Sequence, residues 1–162
     1  MTQATPSETA QGYERAPSVT QFSVFLDNRV GRLHELLLSF EDHQTCQVCA
    51  FSVNEASDYA VIRIITNLSK EARNLLRGHG LTFTETEILV VEVPEEHSLS
   101  RMCLHLLGAE LNIEFAYPVL LKPNGAPTIA IAVDDMTLAG QILRRKGFRM
   151  LGEGDLPKRS QL

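Results

Sequence analysis

The chain has 162 residues, a formal net charge of −5 and charged side chains at 22% of its positions. This length can bury a core as one domain or as two small ones. The acidic balance and the lack of a long basic run exclude the electrostatic footprint of a nucleic-acid-binding protein, and no apolar run approaches the roughly 20 residues that a membrane span needs.

The two ends of the chain are expected to be tails. Residues 1–19 are polar and lack the apolar segment of a signal peptide, so we expect a disordered N-terminal tail. Residues 157–162 form a second expected tail. The three cysteines are an odd number in a chain without a secretion signal, which favours reduced thiols and a cytoplasmic protein.

Residues 20–87 show one βαββαβ pattern. Apolar residues alternate in the first segment, as a half-buried strand requires, and the next segment has the i, i+3, i+4, i+7 spacing of an amphipathic helix. The alternating set is Phe22, Val24 and Leu26, and the helical set is Leu33, Leu36, Leu37 and Phe40. The predicted elements are a strand at 20–27, a helix at 31–43, a hairpin at 46–66, a helix at 69–79 and a strand at 81–87.

The same pattern returns in residues 88–156. An offset of 67 residues carries Ile62 and Ile64 onto Ile129 and Ile131. Two such units predict an α+β protein of the ferredoxin-like kind, with antiparallel sheets and both helices on one face. We therefore expect two domains, 20–87 and 88–156, joined without a flexible linker. The second set of elements is a strand at 88–94, a helix at 98–108, a hairpin at 112–134, a helix at 136–146 and a strand at 148–152.

The turn between the first strand and the first helix carries a motif. It reads Asn28-Arg29-Val30-Gly31-Arg32-Leu33, which resembles the Asn-x-Pro-Gly-x-Leu turn of the ACT domain family, with valine in place of proline. The resemblance extends over residues 20–156 and implies βαββαβ modules that bind amino acids and regulate metabolic enzymes. It places the ligand at the turn, at Asp27, Asn28, Arg29, Val30, Gly31, Arg32 and Leu33.

Elementary electrostatics supports a ligand at this turn. The first four N–H groups of a helix have no partner within it, and the helix dipole places about half a positive charge there. Gly31 would let a carboxylate approach the backbone, and Asn28 could cap the helix or donate to that carboxylate. Asp27 could hold an ammonium group, and Arg29 or Arg32 could add charge-assisted contacts. In the alternative interpretation, Asp27 and Asn28 only cap the helix and both arginines are solvated.

The equivalent turn of the second repeat departs from the motif. It reads Pro94-Glu95-Glu96-His97-Ser98-Leu99 and has no Asn-x-x-Gly pattern. Two carboxylates at a helix N-terminus occupy the place of an anionic ligand, and Ser98 can cap the helix. Glu95, His97 and Ser98 are therefore a secondary candidate site, and the second repeat is expected to serve mainly as a packing partner.

Metal and cofactor chemistry has little support. Residues 43–49 hold a histidine and two cysteines at the spacing of half a zinc site, but no second pair follows. A strand would also point the two cysteines to opposite faces. We expect buried thiols, no metal and no cofactor, with Cys103 in the core of the second repeat. Asp134 and Asp135 are expected to cap the helix that follows them.

The resemblance implies a regulatory protein of amino-acid metabolism that binds an amino acid and has no catalytic domain. Its partner would be the catalytic subunit of a biosynthetic enzyme such as acetolactate synthase. Two alternatives remain open. One is a small ferredoxin-like enzyme that uses His97 with Glu95 or Glu96, and the other is an interaction scaffold without a ligand.

A homodimer is expected from the sheet face opposite the helices. That face is largely apolar, whereas a solvent-exposed sheet face is normally polar, and exposed apolar patches mark interfaces. The two repeats of one chain could also cover this face internally. Its residues are Phe25, Val61 and Ile65 in repeat one and Val90, Ala130 and Ala132 in repeat two.

Overall fold

The computed structural model describes residues 15–159, so parts of both predicted tails, 1–14 and 160–162, lie outside the described residues. Within the described part, no helix is long and apolar enough to cross a membrane. The strands are β1 (Val19–Asp27), β2 (Val48–Glu55), β3 (Tyr59–Thr66), β4 (Thr82–Glu92), β5 (Ile113–Pro118), β6 (Thr128–Val133) and β7 (Arg149–Leu151). The helices are α1 (Arg32–Glu41), α2 (Ser69–Gly78), α3 (Leu99–Gly108) and α4 (Met136–Arg145), followed by a 3-10 turn at Glu153–Asp155.

Each repeat forms a four-stranded antiparallel sheet, and β4 belongs to both sheets. The first half of β4 pairs with β1, from Thr82 opposite Phe25 to Ile88 opposite Val19. Its second half pairs with β6 and β7. The strand orders are β2-β3-β1-β4 and β5-β6-β4-β7. The predicted double βαββαβ plan is therefore confirmed, and one continuous strand stands where a linker would be.

The two helices of each repeat cover one face of its sheet. Ile62, Ile64 and Ile131 lie in these helix-facing cores, as the alternation predicts. Full burial of a side chain of this size contributes about 1.5–3 kcal/mol relative to exposure. The first core contains Phe22, Val24, Leu26, Leu36, Phe40, Cys46, Ala72 and Leu76, and the second contains Leu89, Val91, Val93, Met102, Leu106, Ala139, Leu143 and Phe148.

The faces opposite the helices pack against each other and form a third core. This core takes up most of the surface from which the sequence predicts a homodimer, so that surface is covered within one chain. Phe25 is 37% exposed and its ring packs in a tilted arrangement against Tyr59 at the outer end of the face, at 6.1 Å between ring centroids. The third core contains Val19, Cys49, Ala50, Ile65, Ile88, Val90, Tyr117, Val119, Ala130, Ala132, Leu151 and Leu156.

Polar contacts fix the two sheets in register. The Tyr117 hydroxyl donates to Oε1 of Gln21 at 2.6 Å, and the two residues are 6% and 1% exposed. Burial raises the pKa of the Tyr117 hydroxyl above its usual range, so it stays protonated and remains a donor. The Arg63 guanidinium lies 4.1 Å from the centre of the Phe115 ring. Both contacts join β1 or β3 of repeat one to β5 of repeat two.

The inner ends of the predicted tails contact the folded repeats. Ala16 is 7% exposed and belongs to the second helix-facing core, so the N-terminal segment is packed from that point rather than from residue 20. At the other end, Gln47 Nε2 donates to the Pro157 carbonyl at 2.6 Å. The Arg159 guanidinium donates to the Phe40 and Glu41 carbonyls at the end of α1. These contacts hold the C-terminal segment against repeat one.

The three cysteines divide between core and surface. Cys46 lies in the helix-facing core of repeat one and Cys49 in the core between the sheets, so the prediction of buried thiols on opposite faces is confirmed. Burial raises the pKa of the Cys49 thiol to about 12. The prediction that Cys103 is a core residue is wrong, because it is exposed. Met102 and Leu106 turn into the core instead, and Cys103 lies beside them on the outer flank of α3.

The buried hydrogen bond between the sheets yields a stability prediction. Tyr117→Phe keeps the ring but leaves a buried Gln21 oxygen without its donor, so the free energy of unfolding should fall by about 1–3 kcal/mol. Tyr59→Phe is the matched control, since Tyr59 is 46% exposed and should change stability by less than about 0.5 kcal/mol. Urea denaturation measures both. Equal losses from the two variants would contradict the role of the Tyr117 hydroxyl.

Candidate functional site

The turn before α1 depends on a left-handed glycine. Gly31 has φ 92° and ψ −12°, a conformation that other residues adopt only with strain. The Arg29 amide donates to the Asp27 carbonyl at 2.8 Å, and the Glu35 amide donates to the Gly31 carbonyl at 3.0 Å. A Cβ on Gly31 would meet nothing within 4 Å. The positive φ is therefore sufficient to explain the glycine at this position. The sequence suggests instead that glycine makes room for a ligand, and this second explanation is not needed.

The N-terminus of α1 is open. No side chain caps it, and among the described residues the amides of Leu33 and His34 have no hydrogen-bond acceptor. The alternative that Asn28 caps this helix is wrong, because Asn28 Nδ2 donates to Glu55 Oε1 at 3.2 Å instead. In each of the other three helices a side chain accepts from one amide near the start: Glu153 from the Ser69 amide of α2, Ser98 from the Arg101 amide of α3, and Asp135 from the Leu138 amide of α4.

A cleft of about 250 Å³, called here the first cleft, lies beside this open terminus. Five of the seven residues predicted from the turn line it together. Val30 is fully exposed and points away from the protein, and Gly31 does not line the cleft. The predicted residues that do line it are Asp27, Asn28, Arg29, Arg32 and Leu33.

The hairpin of β2 and β3 supplies the opposite wall of the first cleft. Glu55 stands at the rim, and the remaining hairpin residues are apolar. Sequence reasoning misses this wall, because β2 enters the site only through its pairing with β3, which in turn pairs with β1. The apolar lining is formed by Leu26, Leu33, Val53, Ala60 and Ile62.

The charged groups at the rim form exposed pairs. Arg29 contacts Asp27 at 3.0 Å, with both side chains about two-thirds exposed, and such pairs contribute little to stability. Arg32 NH1 contacts Glu35 at 3.0 Å, and its Nε atom is buried without a hydrogen-bond partner. The rim therefore combines two cations, two carboxylates and unpaired backbone amides. These groups can exchange their present partners for the two ends of a zwitterion at little cost.

The equivalent position of repeat two has different chemistry. Ser98 Oγ accepts from the Arg101 amide at 3.2 Å, so the predicted cap of α3 is present. His97 stacks on Phe148 at 4.6 Å between ring centroids, and its Nδ1 atom is buried without a hydrogen-bond partner. A cleft of about 560 Å³, called here the second cleft, opens beside Glu95, His97 and Ser98. Its walls are mainly apolar.

The histidines considered for metal binding and for catalysis make other contacts in the described residues. No group of three His, Cys, Asp or Glu side chains within 15–159 could hold a metal ion. His43 Nδ1 accepts from the Cys46 amide at 2.9 Å, which makes it a local turn contact. In the same part of the chain, no hydrogen bond or ion pair joins His97 to Glu95 or Glu96. Asp135 caps α4, as predicted, with Leu138 as the donor at 3.0 Å.

Two βαββαβ units in tandem are the fold of a pair of ACT modules. The chain belongs to the ACT domain pair family, whose model matches residues 17–158. ACT domains are typically regulatory. No curated protein sequence matches the chain significantly.

Solved structures resemble the chain in fold. Protein BT0572 from Bacteroides thetaiotaomicron superposes with a TM-score of 0.77 at 22% identity, over 86% of this chain and 96% of that one. The regulatory subunit of aspartate kinase from Thermus thermophilus, in a ligand-free form, superposes with a TM-score of 0.53 at 9% identity, over 82% and 94%. At these identities the likeness is one of fold.

The left-handed turn before α1 yields a second stability prediction. Gly31→Ala should lower the free energy of unfolding by about 1–2 kcal/mol, since the added Cβ strains a positive φ. Gly31→Asn should cost clearly less, because asparagine tolerates this conformation better than alanine. Thermal and urea denaturation measure both. If alanine and asparagine cost the same, the conformation at residue 31 does not explain the glycine.

Proposed function

We propose that the chain is a regulatory protein that binds a free amino acid in the first cleft. The observation that carries the proposal is the uncapped N-terminus of α1 beside a small cleft with an apolar lining. An open helix N-terminus is a ready site for an anion, because its amides and its dipole both favour negative charge. The family membership supports the same reading, since ACT domains are typically regulatory.

The groups of the first cleft match the parts of an amino acid. The ligand carboxylate would accept from the free amides of Leu33 and His34, with Arg32 or Arg29 as a charge-assisted donor. The ligand ammonium would lie between Asp27 and the hairpin carboxylate. The apolar lining of the cleft is left for the ligand side chain. A volume of about 250 Å³ is below the usual range of drug-sized pockets and suits a small ligand.

The regulated partner is proposed to be a metabolic enzyme. One protein with the same fold is described as the regulatory subunit of aspartate kinase, which supports a role as a regulatory subunit. Acetolactate synthase as the particular enzyme stays a prediction, and so does a cytoplasmic location. The enzyme alternative draws no support from His97, whose ring packs on Phe148 rather than against a carboxylate.

Self-association is proposed through α3, since the sheet face is covered within the chain. Leu104 and Leu107 are 62% and 70% exposed, and Cys103 is exposed beside them. Among the ten residues of α3, Arg101 and His105 have the long polar side chains, so the outer flank of the helix carries few charged groups. A second copy could bury the same flank symmetrically, as twofold dimers do.

Ligand binding tests the proposed function. A thermal-shift screen of the wild-type protein against the twenty amino acids should find at least one that raises the melting temperature. The Asn28 side-chain amide, which donates to Glu55 in the free protein, would turn to the ligand carboxylate. Asn28→Ala should then weaken the binding of that amino acid roughly ten- to hundred-fold by calorimetry, because a hydrogen bond to a charged group contributes about 1.5–3 kcal/mol. Asn54→Ala is the matched control, an exposed asparagine of β2 outside the cleft.

Three outcomes would contradict this function. No stabilisation by any amino acid would favour a scaffold without a ligand. Equal affinity in Asn28→Ala and wild type would place the ligand elsewhere. A comparable loss in Ser98→Ala, which alters only the second repeat, would contradict the assignment of the ligand to the first cleft.

The proposed dimer has its own test. Sedimentation of the wild-type protein at micromolar concentration should give twice the 18.0 kDa chain mass. Leu107→Glu should shift the protein toward the monomer, because it places a charge in an apolar interface. Leu38→Glu, on the outer face of α1 where Leu38 is 42% exposed, should leave the mass unchanged. A monomeric wild-type protein, or equal effects of both changes, would contradict an interface at α3.

A further inference from the structure

We infer that the second cleft is a separate site for an uncharged apolar small molecule. It measures about 560 Å³, more than twice the first cleft, and it lies between the β4–α3 junction and the ends of β5 and β6. This volume falls within the range of about 300–1,000 Å³ that small-molecule sites occupy. Its apolar walls are Val93, Pro94, Leu99, Pro118, Pro127 and Ile129.

The walls of the second cleft offer few hydrogen-bond donors. Three of the wall residues are prolines, which have no backbone N–H. The Thr128 hydroxyl, which also lines the cleft, donates its proton to the Ala126 carbonyl at 2.9 Å. The His97 ring is held against Phe148 and presents an aromatic surface. A ligand would therefore gain from burial of apolar surface rather than from polar contacts.

The charges around the second cleft disfavour an anion. Ser98 Oγ caps the start of α3 by accepting from the Arg101 amide, whereas no side chain caps the start of α1. Glu95 lines the cleft and Glu96 follows it, and both would repel a carboxylate. Lys122 on the lining offsets one of these charges. A lining in which one carboxylate and one ammonium balance is complementary to an uncharged ligand.

The site is independent of the amino-acid site in the first cleft. The two clefts occupy equivalent positions in the two repeats but differ in helix capping, size and lining. An apolar effector and an amino acid could therefore bind the same chain at once. The proposal does not depend on the function proposed for the first cleft, because none of the residues that carry it lines the first cleft.

Indole and its charged derivatives test the site directly. The chain contains no Trp, so the fluorescence of an indole probe can be followed during titration with the wild-type protein. Uncharged indole should bind with saturation. Indole-3-acetate, which carries the same ring with a carboxylate, should bind at least about tenfold more weakly, a difference of roughly 1.4 kcal/mol. Failure of indole to saturate, or tighter binding of the carboxylate, would overturn the proposal.

Two substitutions in α3 test whether indole occupies the second cleft. Leu99→Asp puts a carboxylate on the wall at the first residue of α3, where an acidic residue is favourable to the helix. This substitution should weaken the binding of indole by at least about tenfold. Leu104→Asp is the matched control, an exposed leucine of the same helix outside the cleft, and should leave indole binding unchanged.

The same variants distinguish the second cleft from other surfaces that could bind indole. Unchanged binding in Leu99→Asp would overturn the proposal. So would an equal loss in Leu104→Asp, which would indicate that indole binds the outer flank of α3 or an interface between two copies. Asn28→Ala should bind indole as well as the wild type, and loss in that variant would show that the probe occupies the first cleft instead.

Discussion

The packing of the two sheets against each other determines the rest of the structure. Each sheet needs a cover for the face that its helices leave bare, and each repeat covers the other. Because β4 runs through both sheets, the two faces meet in a fixed register, and the buried contact between Tyr117 and Gln21 has one geometry. The helices and both strand-to-helix turns are thereby left on the outside. Either turn is free to hold a ligand.

Much of the fold can be predicted from the sequence, because period and polarity are local properties. The apolar alternation of β1 and the spacing of Leu36 and Phe40 indicate the right elements and the right faces. What covers a face is not local. The apolar character of Ala130 and Ala132 is visible in the sequence, but their cover lies in the other repeat. For Cys103 the sequence predicts burial where the structure shows exposure. Its position follows the apolar spacing of the helix, but it lies on a flank that nothing in the described chain covers.

The candidate site shows the same limit. The turn motif indicates five of the residues that line the first cleft, because they are adjacent in sequence. The hairpin wall with Val53 and Glu55 is reached only through strand pairing, and no spacing rule connects it to the turn. The divergence of the two repeats is partly visible in the sequence, since Ser98 is a recognisable cap. The open N-terminus of α1 and the capped N-terminus of α3 then differ at one equivalent position, which is Gly31 in repeat one and Ser98 in repeat two.

The central claim is that the open N-terminus of α1, and not the capped N-terminus of α3, receives the carboxylate of an amino acid. Backbone amide NMR during titration with a stabilising amino acid tests it most directly, because a new hydrogen bond to a carboxylate moves the proton resonance of the amide that donates it. Saturable shifts are expected at the amides of Leu33 and His34, with the resonance of the Arg101 amide unmoved. The largest shifts at the start of α3, or none at α1 at saturating ligand, would contradict it.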